Sequence, residues 1–200
     1  FQPNKPSEEL VNWIKENSID LSFVMAYGHF LSKALRSSTS LGCYNFHGSI
    51  LPKYRGASPV ETAIASGDQT TGITLMKVEA GMDAGPIADI EMCKIEINDT
   101  SIILREKLAN KVVVLLERNI EKLINKNINF VAQKGEGIVY CRKLTKSDGL
   151  IDFNLSAKEI YNRWRAFYSW PGTYFFYNNK RIKVGLVELV KDYESKLEKN

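Results

Sequence analysis

The sequence predicts an α/β fold: a layer of parallel strands covered by helices, followed after residue 133 by a segment of different character. Three observations carry this reading. Helix-like and strand-like stretches alternate from Ser7 to Phe46, the order of an α/β layer. Leu21 to Tyr27 (LSFVMAY) is a nearly continuous apolar run, the pattern of a strand buried on both faces. Lys134-Gly135-Glu136-Gly137 has the composition of a linker, and hairpin signals follow it.

Taken in order, Ser7 to Asn17 (SEELVNWIKEN) opens with a serine and two acids and then carries apolar residues at helical spacing, which predicts an amphipathic helix. Leu21 to Tyr27 is the first strand, ended by Gly28. A second helical stretch leads to Gly42, and Cys43-Tyr44-Asn45-Phe46 reads as the next strand. Pro59 to Ser66 is expected as a helix with proline in its first turn and Gly67 as its stop. Gly72 to Val78 and Ile87 to Ile97 read as strands, the second alternating. Thr100 opens a helix to about Asn125, with Ile103, Leu104, Leu108, Val112, Leu115, Leu116 and Ile120 as its packing stripe. Ser156 to Phe167 is a further helix. Thr173 to Tyr177 and Lys180 to Val187 form a hairpin around Asn178-Asn179, since asparagine tolerates positive φ. The charge-rich last ten residues read as a solvated helix or a frayed end. Because the chain goes straight into a helix where a doubly wound domain has a strand, further N-terminal material is expected before Phe1.

An apolar fraction of 44% and a charged fraction of 25% are those of an ordinary globular protein. No stretch approaches the ~20 consecutive apolar residues of a membrane span, and no export signal is visible. Cys43, Cys93 and Cys141 lie far apart in no metal spacing, and their odd number argues against a disulfide framework. No metal, no membrane and a reducing cytoplasm are therefore expected. The net charge of +4 is uneven: residues 139–200 hold twelve Lys/Arg against seven Asp/Glu, and the remainder holds 15 against 16. That surplus is either a solvated basic face or a surface that meets a polyanion.

The chemistry concentrates in two stretches. Asn45-Phe46-His47 ends a strand just before Gly48-Ser49-Ile50-Leu51-Pro52, and side chains alternate along an extended chain, so Asn45 and His47 point to one side. In open α/β sheets, ligands bind beyond the C-terminal ends of strands, where His47 stands. Asp83 lies between glycines in Gly81-Met82-Asp83-Ala84-Gly85-Pro86, in a loop able to approach another backbone closely. An amide donor, an imidazole and an orienting carboxylate are what acyl transfer requires. Each residue alone has a plainer reading: a strand-ending Asn, a satisfied His, a turn Asp. His29, the other histidine, has no partner pattern and reads as structural.

The run Asn45 to Gly56 (NFHGSILPKYRG), with Gly67-Asp68, Thr71-Gly72-Ile73-Thr74 and Gly81 to Pro86, resembles the formyltetrahydrofolate-dependent formyltransferase family. Lys143-Leu144-Thr145-Lys146, Asp148 to Phe153, and Arg165-Ala166-Phe167 to Trp170-Pro171-Gly172 resemble the start of the second domain in members that formylate methionyl-tRNA. The resemblance implies a Rossmann-like formyltransferase domain over residues 1–133, incomplete at its N-terminus, a linker over 134–142, and the start of an OB-like barrel over 143–200. It implies a catalytic trio of Asn45, His47 and Asp83. Ser49, Ile50, Leu51, Pro52, Tyr27 and Gly28 would line a site for 10-formyltetrahydrofolate. Arg55, Lys143 and Lys146 would contact initiator methionyl-tRNA; no protein partner is implied. The family's opening strand–helix–strand unit, with a loop that meets the tRNA acceptor end, has no counterpart here. Alternatives are a formyltransferase for an amino-sugar nucleotide, or a shortened remnant that only binds folate.

Overall fold

The computed structural model describes residues 1–190; the expectation for the last ten residues lies outside them. Helix α1 (Glu8–Glu16) begins after Ser7, whose side chain makes no capping bond. Glu8 and Glu9 instead put negative charge at the positive end of the helix. Strand β1 (Leu21–Val24) stops three residues before the expected Tyr27. Helix α2 (Lys33–Arg36) is a single turn capped by Ser32, and strand β2 (Gly42–His47) takes in His47 as its last residue. A two-residue strand β3 (Arg55–Gly56) precedes helix α3 (Pro59–Ala65), which starts at proline and stops before Gly67 as expected. Strands β4 (Thr70–Lys77) and β5 (Ile87–Lys94) follow, then helix α4 (Ser101–Ile124), capped by Thr100. Strand β6 (Tyr140–Cys141), helix α5 (Ala157–Ala166) and the hairpin β7 (Thr173–Tyr177) and β8 (Lys180–Val184) complete the described chain.

The main sheet has the order β1-β2-β4-β5. It is mixed where a parallel layer was expected: β1 and β2 run parallel, while β2–β4 and β4–β5 are antiparallel. The β4–β5 connection is a short loop with no crossover helix, which permits only antiparallel pairing. Nor is β1 buried on both faces. It is an edge strand, and Phe23 is 37% exposed. A continuous apolar run signals burial only if neighbours cover both sides, and none among the described residues does so here.

Helix α4 buries Leu104, Leu108, Leu115 and Leu123 against β4 and β5, with Asn119 buried among them. Ile103, expected in this stripe, is 42% exposed, because the helix packs on one side only. Strand β5 ends three residues short of Ile97, where the Asp99 carboxylate accepts the Glu96 N–H and turns the chain toward α4. Among the described residues, the C-terminal part contributes α5, the hairpin and an isolated bridge from Leu150 to Tyr174; the expected OB-like barrel is not closed by them. Helix α5 packs on α3, and its Ala166, with the following Phe167, joins the same buried cluster as Ile64 and Leu104. Buried Arg165 ties it down further by donating to the carbonyls of Glu96 and Asp99.

Candidate active site

Asn45 and His47 lie two residues apart on β2, and the loop between β4 and β5 folds back to bring Asp83 to both. Asp83 Oδ2 is 3.5 Å from His47 Nδ1, and the Asn45 amide donates to Asp83 Oδ1 at 3.4 Å. Both contacts are longer than the usual 2.7–3.2 Å of an N–H···O bond. The firm grip on the carboxylate is the backbone N–H of Gly56, which donates to Oδ2 at 2.9 Å. His47 is 5% exposed, and its Nε2 lies 2.8 Å from the Tyr54 carbonyl oxygen. A carbonyl only accepts, so Nε2 carries a proton and donates it there. The edge of the ring left for chemistry is Nδ1, which faces Asp83. The Asn45 amide, the Nδ1 edge of His47 and the Asp83 carboxylate therefore converge at contacts too long to saturate one another, which leaves them able to engage a third group.

Both partners of His47 sit on left-handed backbone: Tyr54 has φ 62° and Asp83 φ 47°. Such residues cost roughly 1–3 kcal/mol each and persist only where the surroundings over-determine them. The surroundings here do so. A Cβ on Gly85 would stand 1.9 Å from the Lys77 carbonyl oxygen, so only glycine lets the Asp83 loop close on β4. Gly56 (φ +122°) packs as tightly on Cys141: a Cβ would meet its carbonyl oxygen at 2.1 Å. Strand β6 pairs with β3, and the Cys141 thiol donates to the carbonyls of Tyr54 and Arg55 at 3.3 and 3.4 Å. Burial pushes that thiol up, so it stays a protonated donor. Thr74 on β4 fastens the turn after β2: its hydroxyl donates to the Ser49 carbonyl at 2.6 Å and accepts the Leu51 N–H at 3.1 Å.

Of the residues expected to line the folate site, Ser49 and Leu51 are buried and Ile50 and Pro52 half-buried. The Ser49 hydroxyl is spent on the Lys53 carbonyl at 2.6 Å, so this stretch presents chiefly backbone. Tyr27 and Gly28 are exposed in the segment after β1. That segment leaves the sheet beside His47, because Val24 pairs with Asn45 in the parallel ladder. The Tyr27 ring packs against exposed His29, 5.2 Å between centroids. Arg55 does not face outward as a tRNA contact would. It is 6% exposed, and its guanidinium donates to Gln133 Oε1, because β3 is covered by the segment leading to β6. Lys143 and Lys146 are exposed, and among the described residues they form no ion pair. Part of the basic surplus is also consumed internally: Arg142 pairs with Asp148, Arg163 donates to the Asp148 carbonyl, and Arg165 is buried. The Tyr54 carbonyl, the Gly56 N–H, Gln133 and Cys141 were not singled out from the sequence. Backbone groups carry no letter of their own, and the two side chains act from beyond α4.

Residues 1–120 match the family described as Formyl transferase, which is more than half of the chain. The chain belongs to the formyltransferase family. Residues 143–197 match the description Formyl transferase, C-terminal domain. Over 193 residues the chain is 38% identical to a methionyl-tRNA formyltransferase of Blochmanniella floridana, covering 96% of this chain and 60% of that protein. It is 40% identical over 192 residues to the enzyme of that name from Francisella tularensis subsp. novicida, covering 95% and 60%. The chain thus spans about 60% of the length of these relatives. A 4-N formyltransferase from Francisella tularensis shares the fold, with a TM-score of 0.79 at 22% identity over 94% of this chain and 78% of that one. An N-formyltransferase from Helicobacter canadensis, solved with folinic acid and dTDP-3-aminofucose, gives a TM-score of 0.62 at 26% identity over 71% and 54%. Among the described residues, no helix is long and apolar enough to cross a membrane.

Proposed function

We propose that this chain transfers a formyl group from 10-formyltetrahydrofolate to the amino group of methionyl-tRNA. The observation that carries the reading is the convergence of the Asn45 amide and the His47 Nδ1 edge on the Asp83 carboxylate, at contacts that saturate none of them. Formyl transfer to an amine needs no side-chain nucleophile. As the acceptor nitrogen adds to the formyl carbon, negative charge grows on the formyl oxygen, and the Asn45 N–H holds it together with His47 Nδ1–H, a donor that exists in the imidazolium form because Nε2–H is already committed to the Tyr54 carbonyl. Asp83, anchored by the Gly56 N–H, keeps Nδ1–H aimed and accepts, directly or through a water, the proton shed by the attacking amine. That proton ends on N10 of the departing tetrahydrofolate as the C–N10 bond breaks.

The donor fits the residues present: half-buried Ile50 and Pro52 and exposed Tyr27 offer apolar and aromatic surface on either side of the trio's end of the sheet. The acceptor follows the relatives of 38–40% identity named for methionyl-tRNA, together with the exposed Lys143 and Lys146. The test compares formylation of methionyl-tRNA with that of an amino-sugar nucleotide, using 10-formyltetrahydrofolate as donor. Transfer to tRNA alone is expected, with His47→Ala lowering the rate about 10²–10³-fold, the usual loss for one oxyanion donor. Transfer only to the sugar nucleotide would overturn the acceptor, and an unimpaired His47→Ala variant would remove the mechanism.

A further inference from the structure

We infer that Gln133 is a positioning residue for Asp83, which makes the segment after α4 a working part of the active site. The inference rests on the formyl-transfer reading of the trio. The Gln133 amide nitrogen donates to the carbonyl oxygens of Asp83 and Gly85, both at 2.8 Å. Its oxygen accepts from Arg55 Nε at 3.0 Å and Nη2 at 2.7 Å. A primary amide has two N–H donors, and both are spent on one loop. A flipped amide would set its oxygen against two carbonyls and its NH₂ against a guanidinium, so Arg55 fixes the orientation that clamps the loop.

The clamp acts where the loop is strained. Asp83 holds a left-handed backbone, and its carboxylate is held separately by Gly56, the neighbour of Arg55. Arg55 thus joins the two grips: its side chain orients Gln133 on the Asp83 backbone, and the next N–H along the chain holds the Asp83 carboxylate. Gln133 is itself fixed by the two-bond bridge between Val131 and Ile87, 2.8 Å each way, and by β6 lying along β3. With both ends of its amide occupied, Gln133 has nothing to offer a reacting atom. Its effect passes through the place of Asp83 beside His47 Nδ1, where a shift of about 1 Å can cost about 10²-fold in rate.

The test uses the 200-residue chain with Gln133→Met, which keeps length and loses the hydrogen bonds, and Gln133→Glu, which keeps the oxygen toward Arg55 and loses the two donors. One readout is the Nδ1 resonance of His47 in long-range ¹H–¹⁵N spectra at fixed pH. The other is the split between kcat and KM in formyl transfer. Both variants are expected to stay folded, to move the His47 Nδ1 resonance, and to lose about 10²-fold in kcat with the donor KM nearly unchanged. Wild-type His47 resonances in a folded variant, or a loss confined to KM, would overturn the inference; so would failure of both variants to fold, which would make Gln133 a stability residue only. If the wild-type chain formylates neither acceptor, the functional reading fails on its own, and the His47 spectra still decide the role of Gln133.

Discussion

The His47 ring presents only its Nδ1 edge because the Tyr54 carbonyl occupies Nε2, and that division follows from backbone geometry. The two residues that hold the ring both sit in left-handed conformations, so the site stores strain that its neighbours must contain. Gly85 is where containment is tightest. In Gly85→Ala the new methyl would lie 1.9 Å from the Lys77 carbonyl oxygen, so either the end of β4 or the Asp83 loop must move. We expect a lower melting temperature together with a loss of about 10²-fold in formyl transfer, the cost of misplacing a catalytic group by about 1 Å. A variant as stable and active as wild type would show that the loop has slack the close packing denies. At this scale the sequence was informative about which residues meet. The spacing of Asn45 and His47 fixes a common face, and the glycines around Asp83 allow close approach. It was misleading for Arg55, because exposure depends on what folds over a residue, here a segment almost eighty positions away.

Elements with strong local signals formed where expected: the Pro59 start of α3, the opening of α4 at Thr100, and the start of α5 after Ser156. Ends decided by tertiary contacts shifted, as with β1 and β5. The short 3₁₀ turn Lys146–Gly149 illustrates a local device with a measurable pH signature. The Arg142 guanidinium, helped by the Thr145 N–H and hydroxyl, holds the Asp148 carboxyl well below the usual carboxylate range. A depressed carboxyl stabilises the fold at pH values above its unfolded pKa of about 3.9, and that contribution fades as pH falls toward the folded value. Asp148→Asn should therefore melt below wild type at neutral pH, and the gap should close as pH drops below about 3.9. A gap constant with pH, followed by thermal melts across that range, would mean that the loss comes from hydrogen bonds or packing and owes nothing to the charge.

On the scale of the molecule, the segment between α4 and α5 does more than connect. It bridges to Ile87, clamps the Asp83 loop through Gln133 and pairs with β3 at β6 before the chain reaches α5. Beyond it, with the internally used arginines set aside, the exposed basic residues of the described chain include Lys143 and Lys146, with Lys180 and Lys183 on β8. Replacing these four by alanine should weaken tRNA binding and flatten its salt dependence by up to about one unit of slope per lost phosphate contact, while leaving the His47 spectrum as it was. An unchanged salt slope would place the tRNA elsewhere. The sequence by itself determined the α/β character, the trio and the family resemblance, because strand alternation, turn glycines and short motifs act over a few residues. Only the tertiary structure decided that the sheet is mixed, that β1 is an edge, that Arg55 turns inward, and that Gln133 reaches the site. Those outcomes depend on which distant backbone lies alongside, and local periodicity does not encode that.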